Sequence, residues 1–154
     1  MPGYGLPEGR KGLLPSNWAA KRLKNSHNYW ITTVKPDGSP HTMIVWGLWR
    51  DGVFLFSTGR QSRKAQNLAE NPRCVVCTER ANQAVIVEGT AEEVRSVPLR
   101  RKFLAQYEKK YKFDMSAFEE DILNLKEPIY AVHPAVAFGL DEKKSLNAAT
   151  RWRF

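Results

Sequence analysis

The sequence predicts a mainly β chain with flanking helices, an α+β fold in which six antiparallel strands close, or nearly close, into a small barrel. Three observations predict it. Six short runs rich in β-branched and aromatic residues recur along the 154 residues. Asp-Gly pairs at 37–38 and 51–52 separate the first three of them, and such pairs favour tight antiparallel reversals. Helical patterns stand apart from this meander, at the start and between the later runs. Closure of the sheet removes exposed edges. At this length one domain has room for a sizeable core, and the expected unit spans 1–154 with an irregular Pro/Gly-rich leader at 1–15.

In chain order, "SNWAAKRLKNS" predicts a short helix with Ser16 as N-cap and Trp18, Ala19 and Leu23 near one face. "YWITTV" (29–34), "HTMIVWGLW" (41–49) and "VFLFS" (53–57) are the meander strands. Ser62 caps a helix over "RKAQNLAE", which stops at Asn71-Pro72 because the residue before proline avoids the helical region. Strands at 73–79 and 84–94 follow, Gly89 marking a bulge or bend in the second. The next helix begins with Ser96 as cap and Pro98 in its first turn. Leu99, Phe103, Leu104, Tyr107 and Tyr111 form its buried stripe, with Arg100, Arg101, Lys102 and Lys109 on a solvated flank. "MSAFEEDILNL" is a weaker helix, and "PIYAVHPAVAFGL" (128–140) is a sixth strand interrupted by Pro134, which suits an edge or bulge.

Composition narrows the function. A formal charge of +8 favours anionic partners, whether a phosphorylated cofactor, nucleic acid or an acidic surface. No apolar run approaches the ~20 residues that span a bilayer, and the N-terminus lacks a signal-peptide apolar region, so the expected place is the cytoplasm. Cys74 and Cys77 lie in a strand-like run, where neither redox C-x-x-C chemistry nor a zinc site has its other requirements, and they are read as reduced structural thiols; no metal is expected. Walker and G-x-G-x-x-G loops are absent. His27, His41 and His133 are scattered without metal or triad spacing. Trp and Tyr sit in apolar strands instead of alternating with cations, which argues against a nucleic-acid surface.

The most informative stretch is "STGRQSRKAQNLAENPR" (57–73). It places Ser57, Thr58, Ser62, Arg63 and Lys64 where a strand ends and a helix begins, a position whose free N–H groups and dipole attract a phosphate. Arg63 offers a two-pronged fork and Lys64 a point charge. The alternative is that Arg60, Arg63 and Lys64 solubilise a surface loop.

The run "GSPHTMIVWGLWRDGVFLFSTGRQSRKAQNLAENPRCVV" with "AVIVEGTAEEV" after it resembles the pyridoxamine 5′-phosphate oxidase-like superfamily of flavin and deazaflavin oxidoreductases. Its most specific element is Phe56, Thr58, Ser62-Arg63-Lys64, Asn67-Leu68 and Pro72. The resemblance implies an FMN-binding six-stranded split β-barrel and a homodimer with the cofactor at the subunit interface. By position it implies that Arg63 and Lys64 hold the phosphate, with Ser57, Thr58 and Ser62 nearby, and that Thr42, Met43, Val45 and Trp46 line the flavin, partly through backbone groups. Gln83 lies one place from a flavin-contacting amide of the oxidases, and Trp152 stands in a cofactor- or partner-contacting terminal segment.

Two departures limit the analogy. Thr42 replaces a phosphate-binding Arg, and the C-terminal Arg- and His-containing substrate segment is not present as a whole, so vitamin B6 oxidation is not assigned. The expected activity is flavin-dependent oxidoreduction of a small organic substrate. The cofactor would carry the redox chemistry, which needs no protein nucleophile, and His41 is a candidate proton or hydrogen-bond donor. Alternatives are a deazaflavin-dependent reductase using the 8-hydroxy-5-deazaflavin cofactor, and a noncatalytic flavin- or haem-binding protein.

Overall fold

The computed structural model describes residues 13–144 and 149–154; the expected leader at 1–15 lies outside the described residues as far as position 12. Helix α1 (Ser16–Asn25) leads into strands β1 (Tyr29–Val34) and β2 (Pro40–Val45). The turn between them puts Gly38 at φ 82°, and Asp37 Oδ1 accepts from the backbone N–H and hydroxyl of Ser39. Strands β3 (Leu48–Arg50) and β4 (Val53–Ser57) are joined by Asp51 and Gly52, both at positive φ, as a two-residue hairpin requires. Helix α2 (Arg63–Glu70), β5 (Arg73–Thr78) and β6 (Val85–Glu93) follow, then α3 (Val97–Tyr111), α4 (Ser116–Leu123), β7 (Ile129–Gly139) and β8 (Thr150–Arg153).

All pairings are antiparallel, in the order β2-β1-β5-β6-β7-β4-β3, with β8 added to β7. The two ends of this order are consecutive in sequence, joined by Trp46 and Gly47. The sheet therefore curls back on itself as a split barrel with four flanking helices. The expected strand at 41–49 is thus corrected to two halves that serve different neighbours, β2 bonding β1 and β3 bonding β4. Gly47 permits the break: a Cβ there would sit 2.3 Å from the Phe54 ring and 2.7 Å from the Leu55 carbonyl.

Tyr29, Ile31, Phe54, Phe56, Val76, Val85, Val87 and Val132 fill the interior. Helices α1 and α2 close opposite ends. Ala19 and Leu23 of α1 enter the core beside Tyr29, whose hydroxyl donates to the Leu23 carbonyl. Ala65 and Leu68 of α2 enter near the other end of β1, where the buried Asn67 amide donates to Thr33 Oγ1 at 2.9 Å. Helices α3 and α4 cover the outside of β3, β4 and β7 through Phe103, Leu104, Met115 and Ile122, packed on Leu48 and Ile129.

Several local expectations change. Ser16 is the first helical residue and not the cap, and Ser96 makes no side-chain capping bond. Pro134 and Gly89 do meet at a bulge, as expected, because Glu88 pairs with Val136 while Gly89 pairs with Pro134, leaving Ala135 as the extra residue. A Cβ on Gly89 would meet the His133 carbonyl at 2.3 Å.

Arg100, expected on a solvated flank, is fully buried, whereas Leu99 of the expected stripe is 55% exposed. The Arg100 guanidinium donates to the carbonyls of Val94, Ile122 and Glu127 and pairs with Glu93 Oε1 at 3.2 Å. Glu93 also receives Arg60 at 2.8 Å. The Arg60 bond, and then the charges of Arg60 and Arg100, hold the Glu93 carboxyl below its ordinary value. With the folded pKa lowered, the stabilisation is fully present above the unfolded value, about 4.3, and is lost as pH falls through the folded one. Denaturant unfolding between pH 6 and pH 3 should show Glu93→Gln losing less stability on acidification than the parent chain.

Candidate anion-binding cleft

Beyond the Leu48–Leu55 pair the barrel wall opens. Strand β2 bonds β1 on one side and, among the described residues, has no strand on the other, so that edge carries unpaired backbone groups. Its side chains report the same opening. Met43 is in register with Ile31, which is 1% exposed, yet Met43 is 47% exposed because no strand covers it.

Helix α2 starts at this opening. Thr58 N–H bonds to the Pro128 carbonyl, and the Ser57 hydroxyl donates to the same oxygen at 3.1 Å. The Ser62 hydroxyl caps the helix by accepting from Ala65 N–H and lies 3.0 Å from Thr58 Oγ1. When Ser62 donates across that pair, the Thr58 proton is free for a ligand.

The three cations of the turn separate into two roles. Arg60 clamps: its backbone N–H donates to Glu127, and its guanidinium donates to the Leu125 and Lys126 carbonyls and to Glu93. The Arg63 and Lys64 side chains make no hydrogen bond or ion pair among the described residues, and neither do their backbone N–H groups. Lys64 is half-buried, and burial alone pushes its ammonium pKa down, which raises the value of an incoming negative charge. Arg63 lines an open hollow of about 520 Å³ with Lys35 and His41, so the start of β2 meets the start of α2. Two cations, two backbone donors and a hydroxyl thus stand within the turn and the first two residues of α2, a set that suits a phosphate.

The expected flavin-lining residues do not share one face. Thr42 pairs with Thr32 and bonds its hydroxyl at 2.9 Å on the outer face, Met43 faces inward at the opening, and Val45 is buried in the core. Val45 can therefore reach a ligand through its backbone alone. Trp46 stacks on Tyr111 with ring centroids 4.6 Å apart and planes 3° apart. Gln83 and Trp152 are not brought to this corner within the chain. Gln83 lies beside Lys21 and Arg22 of α1, its amide 3.3 Å from Asp141. Trp152 packs on the core and against Gly139.

Two residues outside the expected site hold the strand break. Lys110 Nζ donates to the Gly47 carbonyl at 2.8 Å and to Tyr29 Oη at 2.9 Å, and burial pushes its pKa down to about 8. Tyr111 Oη accepts from Gly47 N–H. The helical stripe pointed to Tyr111 as packing, and nothing in the local pattern set Lys110 apart from its neighbours.

Among the described residues no group of three His, Cys, Asp or Glu could hold a metal, and no helix is long and apolar enough to cross a membrane. Among solved structures, the chain is similar to a conserved hypothetical protein, Rv2991, from Mycobacterium tuberculosis, with TM-score 0.76, 22% identity and coverage of 90% of this chain and 92% of that one. It is also similar to an F420 reductase, with TM-score 0.64, 20% identity and coverage of 80% and 98%. These likenesses support the split-barrel fold. A curated pyridoxine/pyridoxamine 5′-phosphate oxidase from Bacteroides thetaiotaomicron is 38% identical over 68 residues, 42% of this chain and 32% of that protein, so the match spans about a third of the relative's length. The sequence model described as pyridoxamine 5′-phosphate oxidase matches residues 18–131. That match takes in the divided strand, the clamped turn and the start of α2, and the chain belongs to the pyridoxamine 5′-phosphate oxidase family.

Proposed function

We propose that the protein is a flavin-dependent oxidoreductase that binds FMN with its phosphate at the Arg63-Lys64 corner and acts on a small organic substrate. The observation that carries this reading is the pair of cations without a partner among the described residues at an open helix start, beside a strand whose edge is unpaired and whose inward-facing Met43 is exposed. The residues fit the group: Arg63, Lys64, their N–H groups and Thr58 would hold the phosphate, while the edge of β2 around Met43 would lie along the ring system. Bound FMN supplies the hydride chemistry. The chain's part is to anchor the anionic end, offer backbone hydrogen bonds to the ring edge, and place His41 where it can donate a hydrogen bond. The test is titration of the purified protein with FMN and, in parallel, with the 8-hydroxy-5-deazaflavin cofactor, followed by the absorption spectrum. A yellow complex that bleaches with a reductant substrate supports the reading. Preference for the deazaflavin would move the protein to the reductases, and a complex that never turns over would make it a carrier.

The same reading includes a homodimer. Trp30 and Ile44 are paired on the outer face and 43% and 50% exposed, and Cys77 and Ile86 continue that face across β5 and β6. Among the described residues Trp30 and Ile44 belong to neither buried cluster. An apolar sheet face of this kind suits a second copy. Light scattering should show a dimer for the parent chain and a shift toward monomer for Ile44→Asp; a parent monomer would remove the interface from the proposal.

A further inference from the structure

A cavity of about 670 Å³ lies between α3 and the outer face of β4 and β7, sharing no lining residue with the anion corner. Its size is that of a small-molecule site. Val53, Leu55, Ile129 and Ala131 form the floor, and Leu99 and Phe103 of α3 form the wall. Leu99 belongs by spacing to the buried stripe of α3 but is 55% exposed here, so part of an apolar helix face lacks a protein partner.

The charges around the cavity are unevenly matched. Asp51 is paired with Arg50 at 2.9 Å, Glu93 with Arg60 and Arg100, and Glu92 lies 3.5 Å from His133. Asp51 and Glu93 therefore each have a guanidinium partner, and Glu92 has only the His133 imidazole beside it. Arg95 and Lys102, which line the same cavity, make no hydrogen bond or ion pair among the described residues. Arg95 acts on Glu93 from a distance, but that carboxylate is already held by two guanidiniums. Arg50, Arg95 and Lys102 of the lining balance Asp51, Glu92 and Glu93 in number, but Glu93 is held from outside the lining by Arg60 and Arg100, so the two unpartnered cations leave a positive surplus around an apolar interior.

We propose that this cavity binds an amphipathic carboxylate of fatty-acid type, its chain over Leu55, Ala131 and Phe103 and its head group between Arg95 and Lys102. The long stems of these two side chains can lie along apolar surface while their charged ends stay at the mouth. The inference is independent of flavin binding. The probe is dodecanoate, titrated calorimetrically below its micellar concentration, with dodecyltrimethylammonium as a ligand of the same tail and opposite head. Saturable one-to-one binding of dodecanoate is expected, at least tenfold tighter than the cationic amphiphile. Arg95→Ala with Lys102→Ala should weaken it at least tenfold. So should Leu99→Asp, a change at an exposed position that should preserve the far-UV circular dichroism and melting temperature. Absence of saturable binding, equal binding of both amphiphiles, or affinity unchanged in both variants would overturn the proposal. It is also overturned if Leu99→Asp alters the oligomeric state of a parent that binds no dodecanoate, because a second copy would then occupy the cavity.

Discussion

With alanine at both Arg63 and Lys64, the protein is expected to bind FMN about 10²–10⁴-fold more weakly than the parent chain. Charge-assisted hydrogen bonds contribute about 1.5–3 kcal/mol each, and 1.4 kcal/mol is about one decade of affinity. The fold should survive, because neither side chain has a partner to lose among the described residues. Arg60→Ala is the informative contrast. Its guanidinium is committed to Glu93 and to the Leu125 and Lys126 carbonyls, so its loss should lower stability and loosen the turn without removing a phosphate ligand. If Arg60→Ala reduced FMN affinity as much as the double variant while stability held, the division of labour within the turn would be wrong. Fluorescence titration of FMN together with urea unfolding separates the two effects.

Arg100→Ala is expected to cost about 3–5 kcal/mol of stability, the range for breaking a buried ion pair by removing one partner. The substitution deprives three carbonyls of their donor and leaves Glu93 with Arg60 alone. A void in the seam between α3, α4 and β7 adds to the loss. Arg100→Lys should recover part of it, since one ammonium keeps the charge but cannot reach every acceptor of the fork. Urea denaturation measures both variants. A cost below about 1 kcal/mol for Arg100→Ala, within the range of surface changes, would mean that the network is not structural.

The strands were legible because half-buried sheet residues alternate, and the Asp-Gly turns fixed the first hairpins. The cap at Ser62 was equally legible, since its hydroxyl serves a donor three residues on, entirely within the local chain. What remained hidden depended on distant partners. The run at 41–49 carries one uninterrupted apolar pattern, and its division depends on the close approach of Gly47 to Phe54 and Leu55. Arg100 resembles Arg101 in any local window; α4, the segment before β7 and the end of β6 supply the carbonyls and carboxylate that bury it. The same holds for Arg60, whose partners lie 33 to 67 residues away. The strand formed by the tail, β8, is short and charged, and pairing with β7 makes it a strand.

For the candidate site, the motif pointed to the start of α2 but could not assign the faces of β2. Thr42 and Met43 are adjacent in sequence and opposite in space, so a set of consecutive ligands translates into alternating side-chain and backbone contacts. Gln83 and Trp152 were linked to the cofactor by resemblance alone, and in this chain they lie near α1 and in the core, away from α2. A second subunit would be the route by which either could approach it.

Calorimetric titration of the same preparation with FMN and with riboflavin, which lacks the phosphate, tests the anion corner most directly. FMN is expected to bind at least a hundredfold more tightly, with the difference collapsing in the Arg63→Ala, Lys64→Ala variant. Equal affinities for the two compounds, or a difference that the variant leaves intact, would contradict the assignment of phosphate to the start of α2.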